Sequence, residues 1–284
     1  MKNISHIFDK NGIITFHQCL NKTKLQNFYE TLLNICYFHL QKIGDHHKLV
    51  NKLYKGNMPI GDKISKILEI FEDKDKESLY QLQKLFSSNN DLRNILDTKM
   101  LNKSFRKLLK IDENVPLLTS GPGIFINRPK TKRLLYKWHA ESHYYPKRRN
   151  FLNIWFPIFY NKSEKNGTML VKEKSHLLMD LPFNEYTGYN KNTEGKKNHF
   201  TQYEIPENFV KDLKTFKANL KVRDILVFNR KSVHASTENL SKKYSFAVVF
   251  RIWEMSKDLT MSGDLDVSPY RDSGNGRPNL KVDV

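Results

Sequence analysis

Apolar residues in the first third of the chain recur at intervals of three and four. Leu25, Phe28, Leu32, Ile35, Cys36 and His39 form one such stripe, and Asn21 stands where a helix N-cap would. Ile64, Ile67, Leu68 and Phe71 repeat the period, as do Leu79, Leu82, Leu85 and Phe86; Leu92, Ile95, Leu96, Phe105, Leu108 and Leu109 carry it on. The pattern predicts a mainly helical part over residues 1–115. Ahead of the first stripe, the stretch from Phe8 to Phe16, with Gly12 inside it, reads as a short strand and a turn.

After Pro116 the period shortens. Runs rich in β-branched and aromatic residues predict strands at Gly123–Asn127, Asn153–Phe159, Thr168–Val171, Asp224–Phe228 and Phe246–Trp253. Gly-Pro-Gly at 121–123 and Asn166-Gly167 read as turns between them. Residues 178–216 are polar and without a period, which reads as a lid or an insertion loop. Residues 258–284 read as an irregular tail. Helices followed by antiparallel strands describe an α+β chain, taken as a single unit over 1–284 with its β core at 116–257.

Composition narrows the classes. With 284 residues, 39% hydrophobic and 12% aromatic, the chain can fill a core, which excludes disorder as its main state. No apolar run reaches the roughly 18 residues of a membrane span, and the opening MKNISHIFDKNGIITF lacks a leader's apolar stretch. Two cysteines, Cys19 and Cys36, are too few to staple a fold of this size, so a reducing, cytoplasmic setting is expected. The net charge of +18 raises nucleic acid as a partner beside a small-molecule substrate. The positive residues are scattered, however, and the densest run, KTKRLLYK at 130–137, is interleaved with Leu and Tyr. There is no RNP-like aromatic motif and no zinc ligand set.

The chemistry concentrates in Trp138-His139-Ala140-Glu141. Two residues apart on a strand, His139 and Glu141 would share a face. A third ligand must come from elsewhere, and His234, after the apolar run Asp224–Phe228, is the best placed. Two histidines and a carboxylate on one face make the facial triad of non-haem Fe(II) oxygenases, with positions left open for cosubstrate and oxygen. On its own, His-x-Glu is equally a pair of solvated residues on a surface strand.

The surroundings of the pair resemble the phytanoyl-CoA dioxygenase family of 2-oxoglutarate-dependent oxygenases. The resemblance runs through Trp138-His139-Ala140-Glu141, Tyr144-Tyr145-Pro146, Asn150, Trp155-Phe156-Pro157, Asn166-Gly167 and Ser175-His176. A second block matches at Asp224, Ile225–Phe228, His234, Asn239 and Ser241, and Phe8 through Gly12-Ile13-Ile14 resembles the family's opening. It implies a double-stranded β-helix (a cupin-like jelly roll) behind a mostly helical N-terminal part. It also implies Fe(II) held by His139, Glu141 and His234, and use of O2 with 2-oxoglutarate, which leaves as succinate and CO2. Hydroxylation or desaturation of an unactivated C–H bond is the implied reaction, because an intact carboxylate at 141 leaves no room for the chloride of related halogenases.

Two positions depart from the family pattern. Glu141 stands where Asp is usual, one methylene longer. Ser245 stands eleven residues after His234, where the family places an Arg for 2-oxoglutarate. Arg251 shares that strand face but lies six residues on, roughly 20 Å along a strand. Arg251, Ser245, Lys243 and Arg128 are therefore all candidates for the cosubstrate carboxylate, with Asn127 and Tyr144 as further pocket residues. The missing Arg also keeps open a catalytically inactive binding module, and the charge an oxygenase directed at nucleic acid. His143 reads either as a substrate contact or as a satisfied pocket histidine, His176 and Trp155 as structural, and His46-His47 as solvated. Glu185, Tyr186, Tyr189, Asn190 and Lys191 in the 178–216 stretch suggest a polar or anionic substrate.

Overall fold

The computed structural model describes residues 3–41, 52–53, 56–74, 76–130, 135–144, 150–189 and 199–254. His46 and His47, Tyr145 and Pro146, Asn190 and Lys191, and the segment 258–284 lie outside the described residues.

The chain opens with α1 (Ile4–Asn11), where a strand and a turn were predicted. Gly12 takes φ 74°, ends the helix through its N–H to the Phe8 carbonyl, and turns the chain into β1 (Ile13–Phe16). The strand expectation therefore holds only after the glycine. α2 (Lys22–Leu40) follows, capped by the Asn21 side chain accepting from the Lys24 N–H at 3.0 Å. α3 (Ile60–Lys74), α4 (Lys76–Ser87), α5 (Asn90–Asn94) and α6 (Lys99–Leu109) complete the helical part.

The remaining strands are β2 (Leu117–Asn127), β3 (Phe151–Ile158), β4 (Met169–Lys172), β5 (Asn184–Tyr189), β6 (His199–Glu204), β7 (Thr215–Lys217), β8 (Ile225–Asn229), β9 (His234–Ser236) and β10 (Ser245–Glu254). The larger sheet has the order β1-β8-β3-β10-β2, the smaller one β7-β4-β9, and β5 pairs with β6, all antiparallel. This is the jelly-roll core. Two local expectations change. Gly121-Pro122-Gly123 does not break its strand: β2 runs through it, and the register against β10 shifts between Val249 and Arg251. A proline without an N–H is tolerated at such a bulge on an edge strand. The polar stretch 178–216 carries the β5–β6 hairpin and the start of β7, because backbone pairing between strands forms them without an apolar period.

The larger sheet is covered on both faces, which is why β3, FLNIWFPI, is buried along its whole length. Ile124, Ile126, Leu152, Ile154, Phe156, Ile158, Phe246, Val248 and Phe250 pack outward against Leu25, Phe28, Leu32, Ile64, Phe71, Phe86 and Phe105 of the helices. The alternate residues Trp155, Leu226, Phe228 and Ala247 turn inward with Met169, Val171, Ala218 and Leu220 of the smaller sheet and its edge. The helices thus back the sheet and leave the space between the two sheets as the interior of the barrel.

Asp224, at the head of β8, ties the N-terminal strand in. It accepts from the Gln18 N–H at 2.8 Å and the Lys221 N–H at 3.0 Å, with His17 at 3.3 Å. Burial works against the carboxylate's charge, but these donors outweigh it and hold its pKa below the usual carboxylate value.

Gly12 is packed as tightly as it is bent. A Cβ there would lie 2.3 Å from His176 Nδ1 and 2.8 Å from Ser232 Oγ. Gly12→Ala is expected to cost more than the ~1–2 kcal/mol of a left-handed alanine. Thermal unfolding should show Tm lowered by about 5 °C or more.

Candidate active site

β9 begins with His234, and the two backbone bonds it makes are to His139: His139 N–H donates to the His234 carbonyl at 3.0 Å, and His234 N–H to the His139 carbonyl at 2.9 Å. The reciprocal pair sets the imidazole centroids 4.1 Å apart. The sequence expectation of His139 and Glu141 on one strand face is corrected here. After the bridge at His139 the chain turns, and Glu141 opens a short helix, α7 (Glu141–Tyr144), pinned by Ser142 N–H to the Arg230 carbonyl at 3.0 Å. That turn returns the longer Glu side chain to the histidines, with Oε1 3.8 Å from His234 Nε2.

One ligand atom each from His139, Glu141 and His234 lie within 4.8 Å of one another, and all three residues are buried. Donors about 2.1 Å from a common ion stand at most about 4.2 Å apart, so a small side-chain adjustment closes the set. The tautomers suit it. His139 Nδ1 lies 2.7 Å from the Lys137 carbonyl and His234 Nδ1 lies 2.9 Å from the Ser232 carbonyl. A carbonyl only accepts, so each Nδ1 carries the proton and each Nε2 keeps its lone pair. Burial pushes both imidazoles below their usual pKa; beside His139, Glu141 works against that shift, while for His234 the neighbouring His139 adds to it.

Arg251 sits at this end of the barrel, with Nη2 at 2.8 Å and Nε at 3.1 Å from Glu141 Oε2. It steadies the carboxylate instead of reaching toward Ser245. Arg128 pairs with Glu72 at 2.6 Å and Lys243 with Asp62 at 2.8 Å, both carboxylates belonging to α3. Ser245 lies at the far end of β10, 1% exposed and directly across from Asn127 on β2. Its hydroxyl is met by the ammonium of Lys162 at 2.5 Å. Lys162 was not singled out from the sequence, and in so lysine-rich a chain no local signal marks it.

At the mouth, Tyr144 packs edge-on to His139 at 5.8 Å and to Tyr203 of β6 at 4.8 Å. His143 lies against Phe183 at 4.4 Å, and its buried Nδ1 has no hydrogen-bond partner. His176 instead packs under Gly12, its Nε2 2.9 Å from the Asp9 carbonyl, and Ser175 Oγ accepts from Val233 N–H at 2.8 Å, one residue before His234. Trp155 lies in the interior core. Asn153 is a second residue the sequence reading passed over. It pairs in register with Arg251, is 1% exposed, and neither its Nδ2 nor its Oδ1 has a partner. A polar residue in the otherwise apolar run FLNIWFPI was the available signal. Such orphaned polar atoms beside the triad fit a polar ligand in this part of the barrel.

A jelly roll carrying a buried cluster of two histidines and a carboxylate fits the class of non-haem Fe(II) and 2-oxoglutarate-dependent oxygenases. The family model for phytanoyl-CoA dioxygenase (PhyH) matches residues 8–246, and the chain belongs to that family. Its members are enzymes that use Fe(II), 2-oxoglutarate and O2. Among solved structures, the fold is similar to a non-heme monooxygenase, ThoJ, in its apo form, at 16% identity and TM-score 0.52 over 88% of this chain and 76% of that one. It is similar as well to SnoN, a non-heme alpha-ketoglutarate-dependent epimerase from nogalamycin biosynthesis, at 10% identity and TM-score 0.52 over 89% and 81%. SnoN in complex with Fe3+, alpha-ketoglutarate and nogalamycin RO gives 11% identity and TM-score 0.51 over 97% and 91%. A search of curated proteins finds no match to the chain. Among the described residues, no helix is long and apolar enough to cross a membrane.

Glu141→Ala should lower Fe(II) affinity by more than about 100-fold, read by anaerobic equilibrium dialysis; unchanged binding would remove Glu141 from the ligand set. Asn153→Leu removes two unsatisfied buried groups and should stabilise the metal-free protein by about 1–3 kcal/mol in denaturant unfolding.

Proposed function

We propose that His139, Glu141 and His234 hold Fe(II), and that the enzyme hydroxylates or desaturates an unactivated C–H bond of a small metabolite bearing a polar or anionic group. The observation that carries this reading is the buried cluster of the three side chains, with both Nε2 atoms left as acceptors by backbone carbonyls on Nδ1. Bound iron with 2-oxoglutarate and O2 supplies an oxidant able to take hydrogen from such a bond, and 2-oxoglutarate leaves as succinate and CO2.

The chain's own residues do the rest. The reciprocal His139–His234 bridge presets the spacing of the two imidazoles, so neither must be ordered when the ion arrives. Arg251 fixes one oxygen of Glu141 and leaves Oε1 toward the histidines. Asn153, level with Arg251 on the neighbouring strand, offers both a donor and an acceptor to whatever occupies the open side. The substrate's approach is set by Phe183, His143, Tyr203 and Tyr144, whose rings pass from the surface to His139. They provide flat apolar contact, while His143 Nδ1 and the charged surface of the chain favour a polar or anionic group on the substrate.

The test is an anaerobic titration of the metal-free protein with Fe(II) and then 2-oxoglutarate, followed by succinate release in air. The visible charge-transfer band of the chelate, followed by succinate formation that rises with a true substrate, is the expected result. Failure to bind iron would overturn the ligand set. Iron binding without the chelate band would instead favour a binding module.

A further inference from the structure

We propose that Lys162, with Ser245 beside it, takes the distal carboxylate of 2-oxoglutarate in this enzyme, so that the cation a family member carries at position 245 is supplied here from the turn after β3. The inference rests on the reading of the site given above.

The position of Lys162 follows from the chain's path. β3 ends at Ile158, and Phe159, at φ 64°, turns the backbone sharply away from the larger sheet. Two residues past Tyr160 the Lys162 N–H donates to the Leu220 carbonyl, beyond the end of β7 on the smaller sheet. Lys162 therefore stands where the chain crosses between the sheets, while Ile158 is the register partner of Phe246, next to Ser245. Along β10, Phe246 and Val248 pack outward onto the helices and Ala247 packs inward, so Ser245 faces the interior with Ala247.

The metal end and Lys162 are joined by register. His234 pairs with Val171, Val171 with Phe216, and Leu220 is four residues past Phe216. Four residues of extended chain cover at most about 13 Å, and the two steps across the sheet add about 10 Å at right angles, which bounds the backbone separation at about 16 Å, a span that the His234 ring, a five-carbon diacid and a lysine side chain bridge together. The interior also carries two small side chains, Ala218 just past β7 and Ala247 of β10.

Lys162 is 3% exposed, and among the described residues its ammonium has the Ser245 hydroxyl as its hydrogen-bond partner and no carboxylate. Every other cation considered for this role is already paired: Arg251 with Glu141, Arg128 with Glu72 and Lys243 with Asp62. A buried ammonium without a counter-ion is unfavourable, and burial pushes its pKa down to about 7. A carboxylate arriving between Lys162, Ser245 and Asn127 would supply the missing charge. A cation without a carboxylate beside Ser245 and the His139–Glu141–His234 cluster farther along the interior match a ligand with one chelating and one distal carboxylate.

The experiment uses the full chain loaded with Fe(II) under anaerobic conditions and compares 2-oxoglutarate with 2-oxobutyrate, which lacks the distal carboxylate. For the unmodified protein, 2-oxoglutarate is expected to bind about a hundredfold more tightly than 2-oxobutyrate. In Lys162→Met that preference should collapse while Fe(II) binding and 2-oxobutyrate affinity persist, and the metal-free variant should melt higher than the parent. The double variant Lys162→Ala/Ser245→Arg should regain the preference. Equal binding of the two acids by the unmodified protein, or an unchanged preference in Lys162→Met, overturns the assignment. If neither acid gives a chelate band on the iron-loaded parent, the reading of the metal site fails, and this inference with it.

Discussion

The reciprocal backbone bridge between His139 and His234 is the contact on which the site depends. Two hydrogen bonds join a loop residue to the first residue of β9, and through them two segments remote in sequence present their imidazoles side by side. Each ring is then oriented by a carbonyl two residues before it, from Lys137 and Ser232. Nothing in the pair relies on a flexible side chain finding its partner. The geometry comes from backbone, which the surrounding strands hold rigid.

The rest of the fold can be understood as support for that bridge. Val171 fixes His234 from the other side of β9, and Ser175 holds Val233 through its hydroxyl. Asn239 ties the β9–β10 connection, donating to the carbonyls of Asn127 and Lys243 while its oxygen accepts from Ser241. Gly12 lets the N-terminal segment come close enough for its carbonyl to accept from Asn229 N–H and Ser232 Oγ, beside the same histidine. Gly12, Ser175 and Asn239, three of the residues by which the chain resembles its family, thus brace β8, β9 and the connections beside them.

Charge is distributed with similar economy around the barrel interior. The surplus of +18 is spread over the chain, and Arg251, Arg128 and Lys243 are each matched to a carboxylate, whereas buried Lys172 meets the Leu213 carbonyl and the Trp138 ring and buried Lys162 meets the Ser245 hydroxyl. Replacing a strand arginine by a serine and drawing a lysine from the neighbouring turn would keep one positive charge at this position on β10. A lysine is a compact point charge and does not offer the arginine fork, so the hydroxyl of Ser245 has a definite place beside it as a second polar contact.

From the sequence alone, the helical period, the later strands, the family and the three ligand candidates could all be read, because each is written locally in spacing or in a short motif. Asn21 as a cap, β8 and β10 as apolar runs, and Asn166-Gly167 as a turn, with Gly167 at φ 79°, are of this kind. What depends on distant contacts was not legible. Glu141 on a helical turn, β2 continuing through Gly-Pro-Gly, and strands in a polar hairpin are decided by partners elsewhere in the chain. The same holds for the charges. Arg251, Arg128 and Lys243 are equivalent as letters, and only the tertiary structure pairs each with its carboxylate and leaves Lys162 facing Ser245, since an ion pair is a relation in space between residues up to 181 positions apart.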